Sequence, residues 1–296
     1  MNIIVLGSGI AGFSAAICAS RKKHNVTLLT GKEFGGQIYN AGKIDNYPGY
    51  LSTTGFEIIH SLEQQAQSFG TNIIDETCLS INIDQYPYKV IGNHNEYIAD
   101  YIIIATGQSP RKLNINNEDK FMGRGISYCA IRDGGLYQGK DIVVVGSGDS
   151  AIKGAIYLSK FASHIDILVK HDHFHSFDKT NEERIHEYKN IDVSYETNII
   201  DIHGEEYLSS VIIKKNDIVS EMHTDGVFVM IGSKPNSDFV KNIIELDDLG
   251  YIKTDCHGQT NIDHIFAAGD IQSDSKKQAV IAAGAGFIAA MNINTY

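Results

Sequence analysis

The chain has 296 residues, 43% of them hydrophobic, which is enough for two modest globular domains, each with its own core. The formal net charge of -11 and the sequence pI near 5.5 argue against a nucleic-acid or membrane partner, because those surfaces need clustered Lys and Arg. No run approaches the roughly 18 apolar residues of a membrane span, and a strand-like run from Ile3 leaves no room for a secretory signal. We therefore expect a cytoplasmic protein.

The first predicted elements are a buried strand over residues 3–6, a helix over residues 13–20 and a second parallel strand over residues 26–30. Between the first strand and the helix lies a GxGxxG turn, Gly7-Ser8-Gly9-Ile10-Ala11-Gly12, in the context typical of dinucleotide binding. Its first glycine makes the turn, its second admits a pyrophosphate to the helix N-terminus, and its third lets helix pack on strand. In such sites an acid about 20 residues later binds a ribose hydroxyl, and Glu33 follows the second strand.

The next two stretches, residues 34–37 and 44–49, are rich in turn residues and poor in apolar ones, and taken alone they are predicted to be surface loop. A helix is predicted over residues 55–68, and the alternation over residues 73–91 predicts two or three antiparallel strands. Residues 99–107 form a further predicted buried strand, which ends on Gly107.

The second half of the chain repeats this pattern. A strand over residues 141–145 leads into Gly146-Ser147-Gly148-Asp149-Ser150-Ala151, then a helix to Phe161 and a strand over residues 165–169, and residues 224–232 echo residues 99–107. The fold class is therefore α/β, with two Rossmann-like dinucleotide-binding domains of three ββα layers. The chain closes with Ile265 to Asp270 and a helix from Gln278 to about Asn292, whose small residues imply close approach of a neighbour or a cofactor.

The four cysteines, Cys18, Cys78, Cys129 and Cys256, form no CxxC pair, so neither a zinc site nor a disulfide framework is predicted. Cys18 lies on the apolar face of a predicted helix and is expected to be a small buried hydrophobe.

Over essentially its whole length the chain resembles the low-molecular-weight thioredoxin reductases. The matching stretches are residues 7–12, 35–37, 46–49, 105–107, 127–130 with Asp133-Gly134, 146–151, 267–270 and 277–279. The resemblance implies an FAD-binding domain of residues 1–111 and 237–296, a pyridine-nucleotide-type domain of residues 112–236 inserted in it, and a homodimer. It also implies that the domains rotate about connectors near residues 108–112 and 234–237.

By this resemblance, each cofactor has a set of binding residues. Those expected to bind FAD are Gly7, Ser8, Gly9, Ile10, Ala11, Gly12, Glu33, Gly36, Gln37, Asn46, Ala105, Thr106, Gly107, Gly269, Asp270, Lys277, Gln278 and Ala279. Those expected to bind a nicotinamide nucleotide are Gly146, Gly148, Asp149, Ser150, Ala151, Lys170, His171 and His175.

One departure from the family lies in its redox motif. The family carries a CxxC pair whose second cysteine faces the flavin, and Arg132 stands at that position here. A single thiol cannot run the usual dithiol shuttle, because no resolving cysteine releases a mixed disulfide. One hypothesis keeps Cys129 reactive, with Arg132 stabilising the thiolate if the segment is helical and Asp133 as proton donor. The other makes Cys129 a relic and Arg132 the neutraliser of reduced, anionic flavin.

A second departure concerns the nucleotide. NADPH-dependent family members carry a His-Arg-Arg run and a further arginine that bind the 2′-phosphate, whereas this chain has Lys170, His171 and His175. No acid replaces them for NAD unless Asp172 reaches the ribose, so NADPH and NADH both remain open. His171, His173 and His175 could be imagined as a metal site, but solvated or phosphate-facing histidines are favoured and no metal is predicted.

The sequence thus indicates an FAD-dependent, thioredoxin reductase-like oxidoreductase that passes electrons from NAD(P)H or another donor to a disulfide or other acceptor. Its partner would be a small redox protein, a low-molecular-weight disulfide or ferredoxin. The alternatives are a pyridine-nucleotide-independent flavoprotein, linked to ferredoxin or a second flavin, and a flavin-binding sensor without turnover.

Overall fold

The computed structural model describes residues 1–39, 41, 43–175 and 179–293. These residues form two compact units. Unit 1 combines Met1–Ser109 with the chain from Lys234 onward, and unit 2 is Pro110–Ser233. Unit 2 is therefore an insertion in the sequence of unit 1.

The strands are short, and most belong to one of four sheets. In chain order they are β1 (Asn2–Leu6), β2 (Asn25–Leu29), β3 (Lys43–Ile44), β4 (Thr53–Thr54), β5 (Asn72–Ile74), β6 (Cys78–Asn82), β7 (Tyr88–Gly92), β8 (Glu96–Ala99), β9 (Tyr101–Ile104), β10 (Gln108–Pro110), β11 (Ile126–Ser127), β12 (Asp141–Val145), β13 (His164–Leu168), β14 (Ile191–Ser194), β15 (Thr197–Gly204), β16 (Leu208–Lys215), β17 (Ile218–His223), β18 (Gly226–Val229), β19 (Ser233–Pro235) and β20 (Ile265–Ala267).

The helices lie between these strands. The α-helices are α1 (Ile10–Arg21), α2 (Gly55–Ser68), α3 (Ala130–Asp133), α4 (Asp149–Leu158), α5 (Lys179–Arg184) and α6 (Ala279–Met291). Single 3₁₀ turns cover Gly36–Ile38, Gly134–Tyr137, Ile185–Glu187, Asp238–Val240 and Gly269–Ile271. Among the described residues, no helix is long and apolar enough to cross a membrane.

Unit 1 is built on a parallel sheet of five strands in the order β20-β9-β1-β2-β5. One face of β1, with Ile3 and Val5, packs on α1, α2 and α6, and the other, with Ile4 and Leu6, packs on the antiparallel sheet β6-β7-β8. All four side chains are at most 3% exposed, and burial of each contributes about 1.5–3 kcal/mol. The unit therefore has three layers, with the parallel sheet in the middle.

Unit 2 repeats this plan. Its five-stranded sheet has the order β11-β18-β12-β13-β14, and β12 occupies the central place that β1 has in unit 1. Ile142 and Val144 face the helical layer, whereas Val143 and Val145 face the antiparallel sheet β15-β16-β17. The duplication predicted from the sequence is confirmed as two ββα units. Four strands of the two parallel sheets correspond, β9-β1-β2-β5 and β18-β12-β13-β14, whereas the fifth strand comes last along the chain in unit 1 (β20) and first in unit 2 (β11).

The two segments that connect the units, β10 and β19, pair as a two-stranded sheet. Just inside unit 1, Asn236 joins both crossings. Its backbone N–H donates to the Gly107 carbonyl at 3.0 Å and its Nδ2 to the Thr106 carbonyl at 2.8 Å. It also accepts hydrogen bonds from the Thr106 and Ser109 hydroxyls, at 2.9 and 3.1 Å. The two crossing strands of chain are thus fixed side by side.

Three predicted elements differ from the structure. Residues 73–74 belong to β5, which pairs in parallel with β2, so the prediction of antiparallel strands was wrong there and holds for β6 to β8. The predicted strand over residues 99–107 divides at Asp100, because Ala99 ends β8 and Tyr101 starts β9. Helix α1 begins at Ile10, three residues earlier than predicted, because Gly9 is its N-cap.

The small residues of α6 allow close contact with α1, as predicted. A Cβ on Gly286 would overlap the carbonyl oxygen of Ala11, and Ser14 Oγ donates to the Ala283 carbonyl at 2.7 Å. Gly284, on the same helix, is exposed and faces open space. Contact between the two helix backbones therefore depends on Gly286 and not on Gly284.

This contact predicts opposite effects for two matched substitutions. Gly286→Ala should lower the free energy of unfolding by about 1–3 kcal/mol, because the added methyl forces α6 away from α1. Gly284→Ala should raise it by up to about 1 kcal/mol, because alanine is the better helix former. The midpoint of urea unfolding of the apoprotein measures both, and equal shifts in the two variants would contradict the close helix contact.

Candidate functional site

The first glycine turn follows β1 and has the backbone that the motif requires. Gly7 has φ +105°, and a Cβ there would lie 2.5 Å from the Ala105 carbonyl oxygen. A Cβ on Gly12 would overlap the Gly7 carbonyl oxygen. Gly9 has φ −68° and open space around it. Gly7 and Gly12 are thus needed for packing, and Gly9 leaves room for a ligand at the start of α1.

Other predicted cofactor residues meet at this end of the sheet, where parallel strands expose their carboxyl ends. A Cβ on Gly36 would lie 3.3 Å from Gly9 Cα, and one on Gly269 would lie 2.8 Å from Ala11 Cβ. Ser8 Oγ donates to the Thr30 carbonyl at 2.9 Å and accepts the Gly35 N–H at the same distance. The segments around Gly9, Gly36 and Gly269, which are far apart in sequence, therefore lie together at the start of α1.

The remaining predicted residues of unit 1 lie around this edge. Glu33 is exposed in the turn after β2, and its carbonyl accepts the Gly36 N–H. Asn46 is exposed, and Gln278 is the N-cap of α6 with Ala279 after it. Ala105, Thr106 and Gly107 directly follow β9. No contact in the structure joins the Glu33 or Asn46 side chain to the glycine turn itself among the described residues, so their cofactor roles stay predictions.

Asp270 and Lys277 form a partly buried charged pair beside the glycine turn. Lys277 Nζ donates to the carbonyls of Asp270 and Gln272, at 2.6 and 3.0 Å. Burial raises the pKa of the Asp270 carboxyl, and nearby Lys277 offsets part of the increase. Burial also lowers the pKa of Lys277, against the effect of Asp270 and Asp247. The charge of each group therefore favours the charged form of the other. That the Lys277 and Asp270 side chains lie near each other could not be predicted from the sequence.

The second glycine turn, in unit 2, has the same construction. Gly146 has φ +154°, and a Cβ there would overlap the Met230 carbonyl oxygen. Gly148 has open space around it and is the N-cap of α4, whose first residues are Asp149, Ser150 and Ala151. The second turn therefore leaves open space at Gly148, as the first turn does at Gly9.

A histidine-bearing loop follows β13 and approaches this second turn. His175 donates its backbone N–H to the Ser147 carbonyl at 2.7 Å, and the His175 ring lies edge-on to the rings of His171 and His173, each 4.6 Å away between centroids. Lys170 is exposed at the start of the loop. Within the described residues, no group of three or more His, Cys, Asp and Glu side chains is arranged to hold a metal ion. The link to Ser147 could not be read from the sequence.

Asp172, the acid considered for a ribose contact, is engaged within this loop. Its Oδ1 lies 2.5 Å from His173 Nδ1, and the hydrogen bond from His173 lowers the pKa of the Asp172 carboxyl. The loop thus places a hydrogen-bonded Asp172–His173 pair and two further imidazoles, those of His171 and His175, beside the second glycine turn.

The segment around Cys129 differs from the helical arrangement considered above. Cys129 is extended, with φ −143°, and is the N-cap of α3, which covers only Ala130–Asp133. The Arg132 guanidinium is bound by Asp133, from Nε to Oδ1 and from Nη2 to Oδ2, both at 2.7 Å. Ser127 Oγ also donates to Asp133, at 2.6 Å. Asp133 thus takes two of the five Arg132 N–H donors, and Arg132 acts on Cys129 through its charge.

This geometry bears on both proposed roles. The Asp133 carboxylate accepts three hydrogen bonds, two from Arg132 and one from Ser127. Cys129 is half-buried, and its backbone N–H donates to Ser127 Oγ at 3.0 Å. Ser127 thus holds both Cys129 and Asp133, a role that the sequence analysis missed because only the fold of the segment brings them together.

A buried carboxylate, Glu118, also supports the segment and was missed. Glu118 is 3% exposed and accepts hydrogen bonds from the Tyr128 hydroxyl at 2.7 Å and from the backbone N–H groups of Leu113 and Asn114. Hydrogen bonding and burial raise the pKa of the Tyr128 phenol, with burial the larger cause. Tyr128, next to Cys129, is therefore fixed from below by an acid ten residues away in sequence.

Comparison with known proteins adds to this description. Residues 1–286 match the family model described as pyridine nucleotide-disulphide oxidoreductase. The chain is 35% identical, over 100% of its length and 97% of the relative, to a "34.2 kDa protein in rubredoxin operon" of Clostridium pasteurianum. It is 36% identical to a thioredoxin reductase of Buchnera aphidicola, over 100% and 96%. The crystal structure of thioredoxin reductase from Streptococcus pyogenes matches with a TM-score of 0.91 at 32% identity, covering 98% of this chain and 95% of that one.

The open space at Gly9 makes a prediction. Gly9→Ala should fold normally, because its φ suits alanine and the methyl meets no protein atom. Its affinity for FAD should fall about tenfold or more, because the methyl occupies the space where a phosphate approaches the helix. Titration of the apoprotein with FAD measures this, and Gly148→Ala, at the second turn, is the matched control with unchanged FAD affinity. Equal FAD affinity in Gly9→Ala and the parent would place the FAD site elsewhere.

Proposed function

Because this chain belongs to the pyridine nucleotide-disulphide oxidoreductase family and is a thioredoxin reductase-like, FAD-dependent enzyme, we propose which of its residues perform the reaction. Electrons pass from NAD(P)H or another donor to a disulfide or other acceptor. The observation that carries this proposal is the close approach of Gly36 to Gly9 and of Gly269 to Ala11, at the start of α1. Bound FAD would supply the two-electron chemistry there, and the protein supplies position and charge.

Unit 1 is proposed to be the FAD-binding domain. Gly7 to Gly12 would hold the pyrophosphate at the start of α1, where helix N–H groups and the helix dipole favour an anion. Glu33 would bind a ribose hydroxyl, and Gly36, Gln37, Asn46, Gly269 and Asp270 would line the same site. Lys277, Gln278 and Ala279 would do so from the start of α6, and Ala105, Thr106 and Gly107 from the end of β9.

Unit 2 is proposed to bind the nicotinamide nucleotide. Gly146, Gly148, Asp149, Ser150 and Ala151 would hold its pyrophosphate, and Lys170, His171 and His175 would face its ribose. Neutral imidazole offers one hydrogen-bond donor and Lys a point charge, whereas a 2′-phosphate is bound best by the fork of an Arg. We therefore propose weak discrimination between NADPH and NADH.

Cys129 is proposed to be the residue that attacks the acceptor. Its thiolate would attack one sulfur of a disulfide, forming a mixed disulfide and releasing one thiolate. Reduced FAD, when bound, would supply the two electrons that cleave this mixed disulfide, so that the second half of the acceptor would leave as a thiolate and the Cys129 thiolate would be restored. Arg132 stands beside it with its charge, although the hydrogen bonds of Arg132 go to Asp133. The acceptor in this single-thiol scheme would be a low-molecular-weight disulfide or a small redox protein, because the scheme uses no second local cysteine.

A homodimer in the cytoplasm is also proposed. Apolar side chains of α6 are exposed, including Phe287 at 37%, Ile288 at 44% and Met291 at 61%. An exposed apolar face of this kind favours association with a second copy. The cytoplasmic location rests on the sequence alone and stays a prediction.

The nucleotide proposal is tested by rapid mixing under anaerobic conditions. If unit 2 binds a nicotinamide nucleotide, NADPH and NADH should bleach the visible absorbance of the flavin at rates within about tenfold of each other. The reason is that the Lys and His side chains proposed to face the ribose select a 2′-phosphate less strongly than an Arg would. Dithionite serves as the control for a reducible flavin. Bleaching by dithionite and by neither nucleotide would instead favour a ferredoxin-linked flavoprotein or a sensor without turnover.

The thiol proposal is tested by two cysteine substitutions. Cys129→Ser should lower the reduction rate of a small aromatic disulfide on the order of 10³-fold, the scale expected when an enzyme loses its nucleophile. Cys256→Ser is the matched control, because Cys256 is exposed in unit 1 and should be silent. The rate of flavin reduction by the donor should not change in either variant. An unchanged disulfide rate in Cys129→Ser would end the thiol scheme and favour a relic.

A further inference from the structure

One edge of the Arg132 guanidinium is open to a ligand. A guanidinium has five N–H donors, and the Asp133 carboxylate accepts two of them, from Nε and Nη2, both at 2.7 Å. Within the described part of the chain, Arg132 makes no other hydrogen bond. Its side chain is 27% exposed. The end of the guanidinium that carries Nη1 and the second Nη2 proton therefore faces no protein acceptor there.

Asp133 holds the guanidinium in one orientation. Two N–H bonds to one carboxylate form a planar fork, which fixes the plane of the guanidinium as well as its distance. The carboxylate is held in turn by Ser127 Oγ, which donates to it at 2.6 Å, and Ser127 is 3% exposed. Asp133 is buried, at 9% exposed, so solvent meets mainly the guanidinium of this ion pair.

Arg132 and Cys129 belong to the same turn of the chain. Cys129 is the N-cap of α3 and Arg132 its third residue, and the Asp133 N–H donates to the Cys129 carbonyl at 3.1 Å. Side chains at these two positions are near enough to meet in capped helices. Ser127 Oγ accepts the Cys129 N–H at 3.0 Å and also binds Asp133. The thiol and the open edge of the guanidinium are therefore parts of one small, fixed structure.

The charge of the whole chain gives this open edge a role in selection. The formal net charge is -11, so an anion is repelled by the protein as a whole, although salt screens this repulsion beyond about 8 Å. Recognition of an anionic acceptor then depends on donors at short range. A guanidinium edge matches a carboxylate in two parallel hydrogen bonds, and an uncharged disulfide gains nothing from it.

We propose that Arg132 is a specificity-determining residue, and that the acceptor is a low-molecular-weight disulfide with a carboxylate near its sulfurs. The carboxylate would accept hydrogen bonds from Nη1 and Nη2 of Arg132. This rests on the proposed function, since it takes Cys129 as the attacking residue. In the step itself, a bond forms between Cys129 Sγ and one sulfur, the disulfide bond of the acceptor breaks, and the other sulfur leaves as a thiolate.

The experiment follows this exchange alone, in holoprotein without an electron donor. Every variant carries Cys256→Ser, because the Cys256 thiol is exposed and would react as well. Burial raises the pKa of the Cys78 thiol to about 12, which keeps it protonated and unreactive. The probes are dithiobis(nitrobenzoate), with a carboxylate on each ring, and dithiodipyridine, with none. Each releases a coloured thiol, and the measured quantity is the ratio of the rate constants, anionic probe over neutral probe.

Arg132→Gln should lower this ratio about tenfold, the effect of losing hydrogen bonds to a charged group. The lost charge also changes the thiolate fraction of Cys129, but that change acts on both probes alike and cancels in the ratio. Arg132→Lys should lower the ratio about threefold, because Lys keeps the charge without the fork. Arg184→Gln is the matched control, because it removes an exposed cation of α5 in the same unit. It should leave the ratio unchanged.

The outcomes separate this inference from the proposed function. If Cys129→Ser releases thiol from both probes as fast as the background protein, the thiol proposal and the role of Arg132 fail together. If Cys129→Ser is slow, and the ratio is the same in Arg132→Gln, Arg132→Lys and the background protein, the role of Arg132 alone is refuted. Arg132→Lys keeps a cation beside Asp133, so it carries the test even where Arg132→Gln fails to fold.

Discussion

The structure depends on the close approach of backbone to backbone at the carboxyl ends of its parallel strands. Gly7 packs against the Ala105 carbonyl, Gly12 against the Gly7 carbonyl, and Gly286 against the Ala11 carbonyl. Any side chain at these positions would separate α1 from β1 or α6 from α1. Two of these contacts involve α1, through Gly12 and Ala11, and Gly7 lies in the turn that leads into this helix. Together they fix the position of the α1 N-terminus, and the contact of Gly146 with the Met230 carbonyl repeats the first of them in unit 2.

The family resemblance and the local chemistry lead to different expectations at Cys129. The fold keeps the segment, with Ser127 and Asp133 in contact, while an arginine occupies the position of the second family cysteine. That arginine is bound in a two-bond fork by the neighbouring acid, so the site contains an ion pair where the family has a thiol. The segment therefore offers one thiol and one ion pair to the chemistry proposed for it.

Much of the fold could be predicted, because it follows from local patterns. The runs Ile3 to Leu6 and Ile142 to Val145 are apolar on both faces, as strands covered by two layers must be, and Gly7 and Gly146 mark where they end. Residues 73–74 were assigned wrongly, since alternation over three residues does not distinguish a parallel edge strand from an antiparallel one. In the site, the glycines were predictable from spacing. The Ser127–Asp133 and His175–Ser147 contacts were not, because they depend on how the chain folds back on itself.

Asn236 fixes the two connecting segments, β10 and β19, next to each other, and this bears on how unit 2 could have been inserted into unit 1. Its four hydrogen bonds to residues 106–109 hold the segment where the chain leaves unit 1 beside the segment where the chain returns to it. A polypeptide cut at both crossings could be resealed by a short turn, with the sheet order β20-β9-β1-β2-β5 intact. Unit 2 is thus a self-contained insertion, and its replacement by another domain would leave the parallel sheet of unit 1 unbroken.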